Sequence, residues 1–287
     1  PAETAAAVEI EPADKPRLAA APRYAPARFS ATSLMIYSLC PRRYYYRYIL
    51  RVPELVSRPG TVHASGMDPL QRGNIVHRVC EHLDSPDNLD KLLDWAIAME
   101  GVFVKGTERR ELKETIERYL ESEYYRQSFK FRVDREVEFA VPLDQFVITG
   151  TVDQVIHSDR GLVIIDLKTN QISAAEIEET AAAYGWQLRI YAWALQAMTG
   201  RPVVNTGLYF LFPDLIYYAP ESHLDTKATE QWLLQVCREI QAGEQVGADA
   251  FPMSLDCRYC PYDCRQIEHS QASLAEITAG MGKLESK

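Results

Sequence analysis

Two neighbouring stretches decide how this chain folds: Phe146-Val147-Ile148-Thr149-Gly150-Thr151-Val152-Asp153-Gln154-Val155, then Gly161-Leu162-Val163-Ile164-Ile165-Asp166-Leu167-Lys168. The second opens with an unbroken aliphatic and β-branched run, too short for a helix and typical of a strand covered on both faces. Between them, His157-Ser158-Asp159-Arg160-Gly161 carries the polar residues and glycine of a hairpin loop. The spacing therefore predicts antiparallel neighbours with Asp153 and Asp166 at similar levels. Asp166 and Lys168 are two residues apart, and in a strand that places both side chains on one face. Two acids brought together in a partly buried place repel unless a cation compensates them, and hard oxygen ligands favour Mg²⁺ or Mn²⁺. Lys168 adds a compact positive charge able to direct a water or stabilise a phosphate. An ordinary ion pair between Asp166 and Lys168 is the plainer reading of the same residues.

Working outward, 132–141 reads as a further strand, 203–212 as another, and 33–51, 69–125, 174–199 and 227–242 as helical. Strands flanked by helices imply an α/β fold with a mixed central sheet. The chain has 287 residues, 47% of them hydrophobic, which is ample for a packed core. Residues 1–29 are more than half Ala and Pro and read as a flexible linker, with a domain over 30–270 and a tail over 271–287. The start at Pro1 fits a processed product or a piece of a longer polypeptide. Neither a signal-peptide h-region nor a membrane-spanning apolar run is present, so the expected location is cytoplasmic, with no membrane partner. No Gly-x4-Gly-Lys-[Ser/Thr] sequence occurs, so any ATP-driven motor lies elsewhere.

The net charge of −9 argues against broad coating of nucleic acid. Local clustering overrules that average at 42–51, where four arginines stand among tyrosines without an acid. Arg43, Arg47 and Arg51, spaced by four, would share one helix face and meet DNA, with tyrosines beside them to stack on bases or pack in the core. A solvated basic helix face is the alternative.

The cysteines are unevenly placed. Cys80 and Cys237 fall on apolar stripes and read as core, while Cys257, Cys260 and Cys264 crowd the end. Three thiolates leave a tetrahedral site one ligand short, and Cys40, before Pro41, is the best fourth. Four thiolates suit [4Fe–4S] or Zn²⁺, and such a site would clasp the two ends of the chain. His77, one turn beyond Gly73, offers either a structural imidazole or a metal ligand. Gln187 and Tyr191 project from one helix face at i, i+4, suited to a phosphate, to Lys168 or to plain structural hydrogen bonds.

In chain order, Cys40-Pro41-Arg42-Arg43-Tyr44, Gly73-x3-His77, Gly150-x2-Asp153, Asp166-Leu167-Lys168-Thr169, Gln187-x3-Tyr191 and the final cysteine trio resemble the RecB-type branch of the PD-(D/E)xK nucleases. Within it, the chain is similar to the iron–sulfur members, such as AddB-like nuclease domains and the nucleases of CRISPR adaptation. Phe29-Ser30-Ala31-Thr32-Ser33-Leu34, leading into Cys40, resembles the start of nuclease domains carried at the end of UvrD-like helicases. The resemblance runs from about Phe29 to about Ile267. It implies a restriction-endonuclease-like core with a helical side module clasped by the four cysteines. It also implies Mg²⁺ or Mn²⁺ on His77, Asp153, Asp166 and the Leu167 carbonyl. Lys168 would assist the attacking water, with Gln187 and Tyr191 supporting the site and the DNA backbone. Glu136 matches a recurrent acid of the family, with Glu138 as its alternative. Cys40, Cys257, Cys260 and Cys264 would hold [4Fe–4S], although the last two stand three residues apart where the family more often has five, which keeps Zn²⁺ open. The activity implied is exonucleolytic hydrolysis of DNA, especially single-stranded ends, beside a helicase motor in the same polypeptide or complex. A DNA-end-binding module without cleavage and a zinc-stabilised interaction module are the competing readings.

Overall fold

The computed structural model describes residues 27–53, 67, 69–83, 86–253, 260–262 and 264. Cys257, most of the expected linker and the expected tail lie outside the described residues. A mixed six-stranded sheet occupies the centre. Its strands are β1 (Ala27–Ser30), β2 (Arg132–Leu143), β3 (Phe146–Ser158), β4 (Gly161–Lys168), β5 (Val203–Phe210) and β6 (Leu215–Tyr218). The β2–β3 and β3–β4 pairs are antiparallel hairpins, β4 and β5 run parallel, and β6 returns antiparallel on β5. The hairpin read over 157–161 is present but tighter, with His157 still paired to Leu162 and Ser158 to Gly161 across Asp159-Arg160. Gly161 has φ +148, and a Cβ there would lie 2.3 Å from the Pro202 carbonyl oxygen, so this corner excludes every other residue.

The helices are α1 (Ala31–Leu39), α2 (Pro41–Tyr44), α3 (Pro69–His82), α4 (Leu89–Glu100), α5 (Gly106–Glu121), α6 (Glu123–Ser128), α7 (Ile177–Ala182), α8 (Gly185–Thr199) and α9 (Thr226–Val246). They form two layers, and the alternation of β4 shows why. Ile164 packs into one core with residues of α1, α8 and α9, whereas Ile165 and Leu167 pack into the other with residues of α3, α4 and α5. A strand buried on both sides must be apolar at successive positions, which is how β4 reads. Asp166 and Lys168 alternate with Leu167, and Lys168 reaches α8.

Several expectations need correction. The helices α1 and α9 complete the same core as α8 and β3. Residues 27–29, read as linker, belong to β1 and pair in parallel with β3. The helix read over 33–51 breaks at Cys40, whose extended backbone (φ −161, ψ 106) suits the residue before a proline. It resumes as α2 and widens into a π-helical turn over Tyr45–Ile49, and Arg51 lies beyond it at φ 53. Arg43, Arg47 and Arg51 therefore do not share one α-helical face. The run over 69–125 divides where Gly101 ends α4 in the left-handed conformation (φ 67) and where extended Ser122 separates α5 from α6. Tyr184 separates α7 from α8. The strand read to residue 212 ends at Phe210, and β1 and β6, each four residues long, carried too little pattern to be read.

Cys80 and Cys237 are core residues, as their stripes suggest, and burial pushes both thiols up to about 12. Among the described residues, no helix is long and apolar enough to cross a membrane.

Candidate metal centre and hydrolytic site

The site forms where the sheet forks. β3 is flanked along one edge by two different strands: Phe146–Thr149 pair with β1, and Gln154–Ser158 pair with β4. Between these ladders β4 turns away from β3, and Asp153 sits in the gap. Its carboxylate Oδ2 accepts a hydrogen bond from the Leu167 N–H at 2.6 Å, substituting for a ladder bond that the fork removes. The Leu167 carbonyl leaves the same edge of the strand as its N–H, so it also faces the gap.

Three ligand groups converge there. One atom each of His77, Glu136 and Asp153 lie within 4.8 Å of one another. His77 Nδ1 is 3.4 Å from Asp153 Oδ2. Helix α3 delivers the imidazole by coming close to the end of β4: a Cβ on Gly73 would stand 3.2 Å from the Thr169 hydroxyl, tighter than usual packing. Glu136 comes from β2, between the paired residues Arg135–Gln154 and Val137–Val152, which puts it opposite Asp153. Its backbone is left-handed, φ 48, an uncommon conformation for a non-glycine residue and one often met at functional sites. Glu138, the other acid considered on this strand, is exposed.

Asp166 stands beside this group and is 1% exposed. It is ion-paired to Lys168. Burial, and then the charge of Asp153, push the Asp166 carboxyl up to about 6, while Lys168 pulls the other way. Burial alone would lower the Lys168 ammonium; Asp166, Tyr184 and Asp153 more than reverse that, and its pKa is raised. Lys168 Nζ also donates to Gln187 Oε1 at 3.3 Å, and Gln187 Nε2 donates to the Tyr191 hydroxyl at 2.8 Å. The i, i+4 pair on α8 is thus joined to the lysine through Gln187. Glu136 is pushed up to about 7 by burial, then by Asp153, Glu81 and Asp166.

This donor set fits a hard divalent cation. It offers carboxylate oxygens and one imidazole, and burial and neighbouring carboxylates raise Glu136 and the adjacent Asp166. Lys168 offsets part of that charge, at Asp166. The converging trio differs from the set expected from sequence in one respect: Glu136 joins His77 and Asp153, whereas one Asp166 oxygen is committed to Lys168. Sequence reasoning had weighed Glu136 against Glu138. Strict alternation would put both on one strand face, and only the fold decides between them. Tyr184, whose ring lies 4.1 Å from Lys168 Nζ, carried no sequence signal beyond standing three residues before Gln187.

At the cysteine end, the flanking segments meet. The Arg42 N–H donates to the Pro252 carbonyl at 3.1 Å, and Arg42 Nε donates to the Phe251 carbonyl at 2.7 Å. Tyr262, between Cys260 and Cys264, donates to the Val52 carbonyl at 3.0 Å and packs its ring on Tyr46. The chain that carries Cys260 and Cys264 is therefore held against the segment that follows Cys40.

Comparison with known proteins gives relatives of this arrangement. An ATP-dependent helicase/nuclease component from Alkaliphilus oremlandii is 24% identical over 184 residues, 57% of this chain and 15% of that protein. Its counterparts from Levilactobacillus brevis and Anoxybacillus flavithermus are 27% and 26% identical, over 53% and 54% of this chain and 14% of each relative. The chain thus spans about one seventh of the length of these curated relatives. A crystal structure of a candidate exonuclease from Eubacterium rectale shares 14% identity and covers 73% of this chain and 79% of its own, with a TM-score of 0.48. The family profile of the PD-(D/E)XK nuclease superfamily matches residues 28–265, which take in the forked sheet, all three converging ligands and the Asp166–Lys168 pair, and the chain belongs to that superfamily.

Proposed function

We propose that this chain is a divalent-metal-dependent deoxyribonuclease that hydrolyses phosphodiester bonds at DNA ends, and that it works as the nuclease domain of a DNA-repair helicase–nuclease. The observation that carries the reading is the convergence of His77, Glu136 and Asp153 beside a buried Asp166–Lys168 pair. His77, Glu136 and Asp153 would hold Mg²⁺ or Mn²⁺, joined by the Leu167 carbonyl and the other oxygen of Asp166. When bound, such a cation polarises the phosphoryl group and lowers the pKa of coordinated water.

The protein's own residues do the rest. Asp166 fixes the Lys168 ammonium and keeps it charged, so that it orients the attacking water and offsets negative charge growing on the phosphate. Gln187 holds Lys168 from the other side, and Tyr191 holds Gln187. Water oxygen bonds to phosphorus, the bond to the leaving sugar oxygen breaks, and that oxygen takes up a proton. The alignment with helicase/nuclease relatives supports a motor outside this segment, and such a motor would feed it single strands. Arg43, Arg47 and Arg51 supply phosphate contacts from separate faces. Cys40, Cys257, Cys260 and Cys264 would hold a structural [4Fe–4S] cluster, with Zn²⁺ the alternative for the same thiolates.

The test uses anaerobically purified chain with linear and closed-circular DNA, in Mg²⁺, Mn²⁺ or chelator. Degradation of linear DNA alone, abolished by chelator and by Asp166→Ala, is expected. Asp166→Ala cutting as fast as the parent would refute the proposal. Iron and acid-labile sulfide analysis of the same preparation tests the cluster.

A further inference from the structure

Lys168 has a neighbour that the motif does not include. Its Nζ lies 4.1 Å from the centroid of the Tyr184 ring, in addition to its contacts with Asp166 and Gln187. We infer that Tyr184 is a positioning residue: its ring face holds the Lys168 ammonium in its working orientation without using one of that group's N–H donors.

The chemistry favours this division of labour. An ammonium has three N–H donors, and Asp166 and Gln187 accept two. Attraction to the face of a ring is electrostatic and needs no dedicated N–H, so the third stays available to water or phosphate. The amine is also well desolvated, with 13% of the Lys168 side chain exposed, and desolvation strengthens a cation–π contact.

Tyr184 is itself fixed. Its N–H donates to the Ala181 carbonyl at 3.0 Å, and its carbonyl accepts from the Leu188 N–H at 3.2 Å, so the backbone is tied to both α7 and α8. The side chain packs on the apolar cluster of Ile177, Leu188, Leu208 and Phe210. The phenol donates to Asn170 Oδ1 at 3.4 Å, two residues after Lys168. The ring is therefore pinned at its backbone, at its edge and at its hydroxyl, with a face turned to the amine. A surface tyrosine free to stack on DNA would not be held on three sides.

The inference rests on the nuclease reading, and its test separates the two. The 287-residue chain is assayed on linear DNA with Mg²⁺ or Mn²⁺. Tyr184→Leu should lower kcat about tenfold, the worth of one desolvated cation–π contact, with KM for DNA and the melting temperature within about twofold and a few degrees of the parent. Tyr184→Phe keeps the ring and should recover activity to within about threefold of the parent. An undiminished kcat in Tyr184→Leu, equal losses in the Leu and Phe variants, or a raised KM at constant kcat would each overturn the role. Independently of cleavage, lysines labelled with ¹³C at the ε position should show one upfield-shifted ε-methylene resonance that Lys168→Arg removes and Tyr184→Leu returns to the common position. No upfield resonance in the parent overturns the contact itself, whereas a parent that leaves DNA intact overturns the nuclease reading beneath it.

Discussion

Glu136→Gln should make the metal-free protein more stable and its metal-dependent properties worse. The parent carboxyl is pushed from 4.5 up to about 7 by burial and by Asp153, Glu81 and Asp166. A carboxylate raised in this way destabilises the fold whenever no cation is bound to it. The folded state holds the Glu136 proton more tightly than the unfolded chain does. Its contribution to stability is therefore complete below about pH 4.5 and is lost as pH rises through about 7. At ~1.36 kcal/mol per pH unit, the shift sets a ceiling of roughly 3 kcal/mol. Glu136 keeps part of its surface in water, so screening brings the figure to about 1–2 kcal/mol. Glutamine keeps the shape and cannot ionise. At pH 8 in chelator the variant should melt about 2–6 °C above the parent, and below pH 4.5 the two should coincide. With millimolar Mn²⁺ the order should reverse, because binding to the folded state stabilises only a protein that retains its ligands. Differential scanning calorimetry across pH, with and without Mn²⁺, reads both effects. A variant less stable than the parent in chelator at pH 8, or equally stabilised by Mn²⁺, would refute the assignment of Glu136 as a frustrated metal ligand.

Other outcomes follow from the same geometry. Lys168→Ala should reduce cleavage by at least a hundredfold while leaving most DNA affinity, measured by fluorescence anisotropy, in place. Because Glu136 and Asp166 are raised to about 7 and about 6, Mn²⁺ must displace protons, so its affinity in calorimetric titrations should rise between pH 5 and 8 with net proton release. Gly161→Ala forces a Cβ against the Pro202 carbonyl at φ +148 and should cost about 1–3 kcal/mol or more in urea unfolding. Cys260→Ser should lower iron content and hasten proteolysis near both ends of the chain, with the melting of the central sheet less affected.

The centre of the fold was readable because β3 and β4 are long, β4 opens with an apolar run covered on both faces, and a recognisable turn joins the two. The same period of two placed Asp166 and Lys168 together. What escaped had physical reasons. The strands β1 and β6 are four residues each, too short to show a period, and β1 lies in a stretch whose composition reads as linker. The arginine spacing assumed 3.6 residues per turn, and the π-helical turn over Tyr45–Ile49 and left-handed Arg51 break that assumption. The role of α1 and α9 in the main core depends on the crossover of β1 to β3, a contact between residues more than a hundred positions apart. Glu136 against Glu138 was undecidable from alternation alone, because strict alternation would put both on the same face; the left-handed backbone at Glu136 turns it toward Asp153. Tyr184 escaped because a cation–π contact leaves no spacing rule.

A crystal soaked in Mn²⁺ and measured at the manganese absorption edge addresses the central claim most directly. An anomalous peak within about 2.0–2.6 Å of ligand atoms of His77, Glu136 and Asp153, lost in Asp153→Ala, is the expected result. A difference map with no peak in the fork between β3 and β4, from crystals that cleave DNA in Mn²⁺, would contradict it.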